Sequence, residues 1–272
     1  MLTIEHLSAA YGKRMALSDI CMEARAGEIV GVMGSNGAGK SSLLHAISGT
    51  LAPAQGRVLL NGADLSRVSV DARARQIAVA PQSSHLPGAF TVGEVVLMGR
   101  APHLPFLGSE NAHDYEIVRS ALTRTATEAL AERRIGELSG GEQQRVLIAR
   151  ALAQITGDAG AQPRVLLLDE ATAHLDMRHQ AAIWELVRQL ARSGLIVIAA
   201  LHDLNLAAQY ADRLALLSGG RLLTCDRPSQ VLTPEWLRRA YDISATVISH
   251  PLYGTPLVAL TAEGEPKCNR DL

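Results

Sequence analysis

The sequence predicts an α/β fold whose mostly parallel sheet is interrupted by a helical insertion. Three observations carry this expectation. Apolar runs of strand length recur at 28–33, 57–60, 76–80, 164–168, 195–200 and 213–218. Helical segments separate several of them, the alternation that builds parallel sheets. Between residues 83 and 155 the runs stop and helical patterning takes over.

Taken in order, residues 2–7 and 17–26 alternate polar and apolar side chains in parts, as strands wetted on one face do. A turn through Tyr11, Gly12 and Lys13 joins them. The run 28–33 reads as a buried strand, and 40–49 as the helix after it. Ser83, Ser84, Pro87 and Gly88 mark a loop. Thr91 and Glu94 then form a capping box that opens a helix to about Gly99. Residues 101–106 read as a loop, 111–124 and 139–154 as helices, and 156–163 as a surface loop by composition. Over 178–192 a helix places Ile183, Val187, Leu190 and Ala191 on one face. Residues 226–272 read as an appendage, with a polar tail expected to fray. The expected organisation is a core in two parts, 1–82 and 156–225, with a helical subdomain at 83–155 and an appendage at 226–272.

Bulk properties narrow the function. The chain has 272 residues, 47% of them hydrophobic but only 3% aromatic. Its core is therefore aliphatic. A formal net charge of −1 with no long block of one sign does not indicate a strongly basic face for nucleic acid. Cys21, Cys225 and Cys268 are odd in number, far apart and in no metal-ligand spacing, so reduced thiols in a cytosolic protein are expected. Glu5 and His6 stand where a signal peptide needs an apolar run. The longest apolar stretch, 195–201, falls well short of the roughly 18–20 residues that span a bilayer. A membrane role would need a partner.

Three stretches carry chemistry. The first runs Gly34, Ser35, Asn36, Gly37, Ala38, Gly39, Lys40, Ser41, followed by Ser42. Its glycines let the backbone curl so that N–H groups converge on phosphate oxygens. Lys40 reaches the β- and γ-phosphates, and the Ser41 hydroxyl suits Mg2+. This reads as a phosphate-binding loop between a buried strand and a helix. The second ends the strand 165–168 in Asp169 and Glu170. Strand C-termini are where open α/β sheets bind ligands. Asp169 suits the metal and Glu170 the general base for an attacking water. The third is Leu138-Ser-Gly-Gly-Glu-Gln-Gln-Arg145. Ser139 and Glu142 make a capping box, and Gly140 and Gly141 leave the first helical turn without bulk, a ready anion site. A second phosphate site in a chain that already has one makes sense if it serves a nucleotide held by another subunit.

These stretches, with Gln82, Asp176 and His202, resemble the ABC-type ATPases in order and spacing over nearly the whole chain. The resemblance implies a P-loop NTPase with a RecA-like core, an antiparallel β-subdomain and an inserted α-helical subdomain. It implies a head-to-tail dimer with two ATP molecules sandwiched between copies. Tyr11 would stack on adenine. Gln82 would touch Mg2+ and the attacking water. Ser139, Gly140 and Gly141 would contact the γ-phosphate across the dimer. Asp176 would lie on the loop crossing the interface, and His202 would contact the γ-phosphate. Ala171 departs from the proline usual after the glutamate. That loosens a backbone restraint but removes no functional group. His174 is also unusual in its loop.

Among ABC-type proteins, one complete cassette with a compact insertion and no fused membrane segment suits an importer's energy-coupling subunit. A soluble ABC protein usually carries two cassettes or a long coiled coil. Another kind of NTPase gives no reason for residues 138–145. Residues 90–103 and 250–258 resemble the iron-siderophore, haem and cobalamin importer branch, and the widened 156–163 loop most resembles the haem importers. The expected cargo is haem, with ferric siderophore or cobalamin as alternatives. The expected partners are a second copy, transmembrane permease subunits and, indirectly, a periplasmic substrate-binding protein. The expected place is the cytoplasmic face of the inner membrane. The chain itself offers no haem ligands, because His85, His103 and His113 read as loop or helix-surface residues.

Overall fold

The computed structural model describes residues 1–82, 88–105, 108–157, 164–173 and 175–261. The chain opens on a hairpin, β1 (Leu2–Tyr11) and β2 (Arg14–Ala24), before β3 (Ile29–Met33) and α1 (Lys40–Ser48). Next come β4 (Pro53–Leu60), β5 (Ala63–Asp64), α2 (Val70–Ala74) and β6 (Ile77–Ala80). Three helices follow: α3 (Val92–Leu97), α4 (Ala112–Arg124) and α5 (Gly140–Ile155). The chain then returns through β7 (Val165–Asp169), α6 (Met177–Arg192), β8 (Ile196–Ala200), α7 (Leu204–Tyr210), β9 (Arg213–Ser218) and β10 (Arg221–Asp226). It continues with α8 (Pro228–Val231), α9 (Pro234–Tyr241) and a hairpin of β11 (Ala245–Ser249) and β12 (Pro256–Leu260).

The central sheet has the order β10-β9-β3-β8-β7-β6, parallel except for β10. Its strands are apolar on both faces because both faces are covered. Val30, Val32, Leu167 and Ile198 point into one core, shared with α1 and the sheet β2-β1-β4-β5. Ile29, Met33, Leu168 and Val197 point into the other, shared with α3 to α7 and the C-terminal elements. The expected α/β class, with its antiparallel sheet and helical insertion, is what the chain adopts. None of the described helices is long and apolar enough to cross a membrane.

Several details differ from the sequence reading. The run 57–60 is apolar enough to read as one of the core strands, yet it is the end of β4 and pairs antiparallel with β1. Val58 and Leu60 are buried because they face α1 from the second sheet. Tyr11 ends β1, so the turn is Gly12–Lys13. The α-helix that Thr91 caps stops at Leu97 and tightens into a 3-10 helix over Met98–His103, so the expected loop starts later. Pro102 sits in that tighter turn, and His103 is half-buried with Nε2 2.8 Å from Gln154 O. His113 does lie on an exposed helix surface. Residues 226–260 carry regular elements as far as Leu260, while the polar tail expected after them, His85, and most of the 156–163 loop lie outside the described residues.

Two buried side chains tie the helical insertion down. The Arg100 guanidinium donates to Asp114 Oδ1 at 2.9 Å and to the Ala153 carbonyl at 2.8 Å, closing the 3-10 turn onto α4 and α5. Gln144 of α5 donates to the Pro81 carbonyl at 2.9 Å, linking this helix to the residue before Gln82.

Candidate active site

A cleft of about 840 Å³ opens at the C-terminal ends of the parallel strands. Its walls include Tyr11, Asn36, Gly37, Gly39, Lys40, Ser41, Ser42, Gln82, Glu170 and His202. Sequence-distant residues thus converge because β3, β7 and β8 are neighbours that end at the same level.

The loop between β3 and α1 is shaped by glycine. Gly34 has φ 147, and a Cβ there would fall 2.4 Å from the Leu217 carbonyl and 2.8 Å from Ala38 Cβ. Gly39, the residue before α1, has φ 107 and offers no side-chain cap. The first N–H groups of α1 therefore remain available to an anion, and the helix dipole favours one there. Ser35 and Ala38 shape the loop through the bond from Ala38 N–H to the Ser35 carbonyl (3.1 Å). Lys40 Nζ lies back along the loop, donating to the carbonyls of Gly34 (2.9 Å) and Ser35 (3.3 Å). Burial lowers its pKa from the usual lysine value, and the nearby Glu170 and Asp169 carboxylates push the other way.

Ser41 Oγ donates to Asp169 Oδ1 at 2.9 Å. Burial at the end of β7 raises the Asp169 carboxyl, the Ser41 hydrogen bond lowers it, and the Glu170 charge adds to the rise. Two oxygens so placed suit a hard cation of the Mg2+ type, whose charge would relieve the cost of burying the carboxylate. Glu170 is held from two sides. Gln82 Nε2 donates to its Oε2 at 2.8 Å, and His202 Nε2 meets its Oε1. The Glu170 backbone sits at φ 51, a left-handed conformation uncommon outside glycine. Its N–H donates to the Ala200 carbonyl and its own carbonyl accepts from Ala173 N–H. The backbone bends sharply at that point and turns the carboxylate toward Gln82 and His202. Ala171, in the usual proline position, is 2% exposed and packs into the core.

Tyr11 stands half exposed at the mouth, its hydroxyl 2.9 Å from His45 Nδ1. Ser139, Gly140, Gly141 and Asp176 are not among the cleft-lining residues. Ser139 caps α5 in the expected box: its backbone N–H donates to Glu142 Oε2 at 2.8 Å, and the Glu142 N–H returns a bond to Ser139 Oγ. Asp176 caps α6 from an exposed position and is paired with His179 at 2.8 Å. His174 lies outside the described residues.

Sequence reasoning missed contributors that touch the loop, among them Gly220, whose N–H donates to the Ala38 carbonyl at 3.1 Å. Tyr241, the last residue of α9, accepts a hydrogen bond from Gly34 N–H at 2.8 Å. Burial pushes its phenol up to about 12, so it stays a neutral hydroxyl. No local signal marks it, because its partner is 207 positions away. Arg14, Met15, Ala16, Gly219 and Gly220 also line the cleft without any motif to flag them.

Known proteins resemble this chain in sequence and in fold. Residues 17–173 match the family model described as ABC transporter. The Hemin import ATP-binding protein HmuV of Gloeobacter violaceus is 46% identical over 95% of this chain and 93% of its own length. The HmuV protein of Pseudomonas aeruginosa is also 46% identical, over 95% of this chain and 99% of its own. Among solved structures, an inward-facing metal-chelate type ABC transporter superposes with a TM-score of 0.79 at 27% identity, covering 96% of this chain and 97% of that one. A dimeric bacterial ABC transporter cassette gives 0.73 at 26% identity, covering 84% and 99%.

Proposed function

We propose, because this chain belongs to the ABC transporter family, that it is the ATP-hydrolysing, energy-coupling subunit of an importer and that the cargo is haem. The observation that carries the catalytic part is a cleft lined by Lys40, Ser41 and Glu170, with Asp169 bonded to Ser41 and with Gln82 and His202 both on the Glu170 carboxylate. The support for haem is the naming of relatives 46% identical over 95% of the chain.

In this reading Lys40 and the N–H groups of residues 37–42 hold the ATP phosphates, and Tyr11 stacks on adenine. Ser41 and, through water, Asp169 would hold Mg2+, which would supply positive charge beside the transferred phosphoryl group. Glu170 accepts the proton of the attacking water. Gln82 orients that water, and His202 holds the γ-phosphate from the other side. Ser139, Gly140 and Gly141 complete the site of a second copy, and Asp176 lies on the loop between the two. ATP then acts as the joint of a head-to-tail dimer, and hydrolysis releases it. Gln82 and the helical insertion at 83–155, between core parts 1–82 and 156–225, pass that motion to separate permease subunits. A periplasmic binding protein delivers cargo to the permease, and this chain sits on the cytoplasmic face of the membrane. The 226–272 appendage braces the phosphate loop through Tyr241.

The test is ATP hydrolysis by the chain reconstituted with its permease and binding protein. Haem should stimulate it and a ferric siderophore should not. Stimulation by the siderophore or by cobalamin instead would move the chain to that cargo while leaving the ATPase assignment standing.

A further inference from the structure

A second cluster of chemically active side chains lies in the antiparallel sheet, outside the cleft. At one level of that sheet three adjoining strands are irregular together. The pairing of β1 with β2 shifts between Ile4 and Leu7, and its pairing with β4 shifts between Glu5 and Ser8. His6 (φ 48) and Asp19 (φ 55) both adopt the left-handed region, which side-chain-bearing residues rarely enter. On β4, Gly56 approaches so closely that a Cβ there would fall 2.2 Å from the His6 carbonyl. These distortions bring three side chains together. His6 N–H leaves the ladder and donates to Cys21 Sγ at 3.2 Å. His6 Nδ1 lies 2.8 Å from Asp19 Oδ1, and Asp19 N–H donates to Ser8 Oγ at 3.0 Å. One ligand atom from each of His6, Asp19 and Cys21 falls within 4.8 Å of the others, and all three residues are exposed.

We propose that His6, Asp19 and Cys21 form a binding site for a zinc ion, with Nδ1, a carboxylate oxygen and Sγ as ligands and the fourth position open to solvent. Bonds of about 2.0–2.3 Å in a tetrahedral site put ligand atoms roughly 3.3–3.7 Å apart. Small rotations of three exposed side chains on a paired sheet reach that spacing. Sulfur and imidazole together select a borderline or soft ion over Mg2+ or Ca2+, which prefer oxygen. The site is therefore chemically distinct from the Ser41–Asp169 pair. Binding requires Cys21 as thiolate and His6 with its Nδ1 lone pair free, so the Cys21 proton leaves to solvent as the Zn–S bond forms. The His6 N–H aimed at the sulfur is the kind of outer contact that supports a metal-bound thiolate.

The experiment titrates Co2+ and then Zn2+ into the purified full chain under reducing conditions. Mg2+ and a non-hydrolysable ATP analogue keep the cleft occupied. One equivalent of Co2+ should give a thiolate charge-transfer band that Zn2+ bleaches. Cys21→Ser should abolish the band, and His6→Gln should weaken Zn2+ by at least about 10-fold. Cys225→Ser should change neither, and ATP hydrolysis by all three variants reports that they fold. No band in the unaltered chain, or a band that survives Cys21→Ser, overturns the proposal.

Discussion

A Cβ placed on Gly34 would strike the Leu217 carbonyl at 2.4 Å, whereas one placed on Gly140 would meet nothing within 4 Å. The first glycine is required by packing inside the chain. The second has no such reason, since its backbone is ordinary helix and the space above it is open. The same contrast runs through the neighbours. Lys40, Ser41 and Asp169 are at least half-buried and engaged with one another's surroundings, while Ser139 and Gly140 stand exposed beside a satisfied capping box. One glycine-rich stretch is finished by its own fold. The other keeps room for something the chain does not supply, which is why we assign it to the nucleotide of a second copy.

The largest effect expected on this contrast comes from the finished side. Glu170→Gln should cut ATP hydrolysis by roughly 10²–10⁴-fold, leave ATP binding in place and trap a dimer by size-exclusion chromatography. Wild-type turnover in that variant would sink the base assignment. On the open side, Gly140→Asp should leave the melting temperature of the nucleotide-free chain unchanged or slightly raised, because an acid suits a helix N-terminus. It should nonetheless lower hydrolysis by about 10²-fold or more and prevent ATP-driven dimers, by opposing a phosphate with a carboxylate. A variant that still dimerises with ATP would mean that α5 does not face the second nucleotide.

Smaller effects probe how the finished side is held. Tyr241→Phe leaves the N–H of the buried Gly34 without its acceptor, worth about 1–3 kcal/mol. The midpoint of thermal unfolding should fall by a few °C, and the KM for ATP should rise more than kcat falls. If neither moves, the appendage does not brace the loop. Asp169→Asn should act in the opposite direction on stability. The Asp169 carboxyl is raised in the folded chain, so folding there favours the uncharged form. Its contribution is present below the unfolded carboxyl pKa and is lost as pH rises through the folded value. At neutral pH the charge therefore costs stability, and the neutral amide should raise the midpoint by about 1 °C, since the site is partly screened by water. The same variant should lose Mg2+-dependent hydrolysis. A fall in the midpoint would show that the carboxylate is stabilising as it stands.

These residues also show what a sequence makes legible. The phosphate loop and the Asp169–Glu170 pair could be read because each is contiguous and its chemistry depends on local backbone. The sheet that joins them followed from apolar runs of strand length. Residues 57–60 misled because burial between two sheets produces the same apolar run whichever sheet owns the strand. Tyr241 was silent because one tyrosine at a helix end has many uses, and only tertiary packing aims its hydroxyl at Gly34. His6, Asp19 and Cys21 were silent for a related reason. Cross-strand neighbours share no spacing along the chain, and the irregular register that unites them is set by three strands at once.

The Gly34–Tyr241 hydrogen bond bears on how such chains diversify. A segment near one end of the chain supplies the hydroxyl that satisfies the start of the nucleotide loop near the other. Exchanging C-terminal segments between relatives would then transplant part of the ATP site along with them. A graft carrying a different residue at position 241 would alter nucleotide handling even though every motif in the recipient stayed intact.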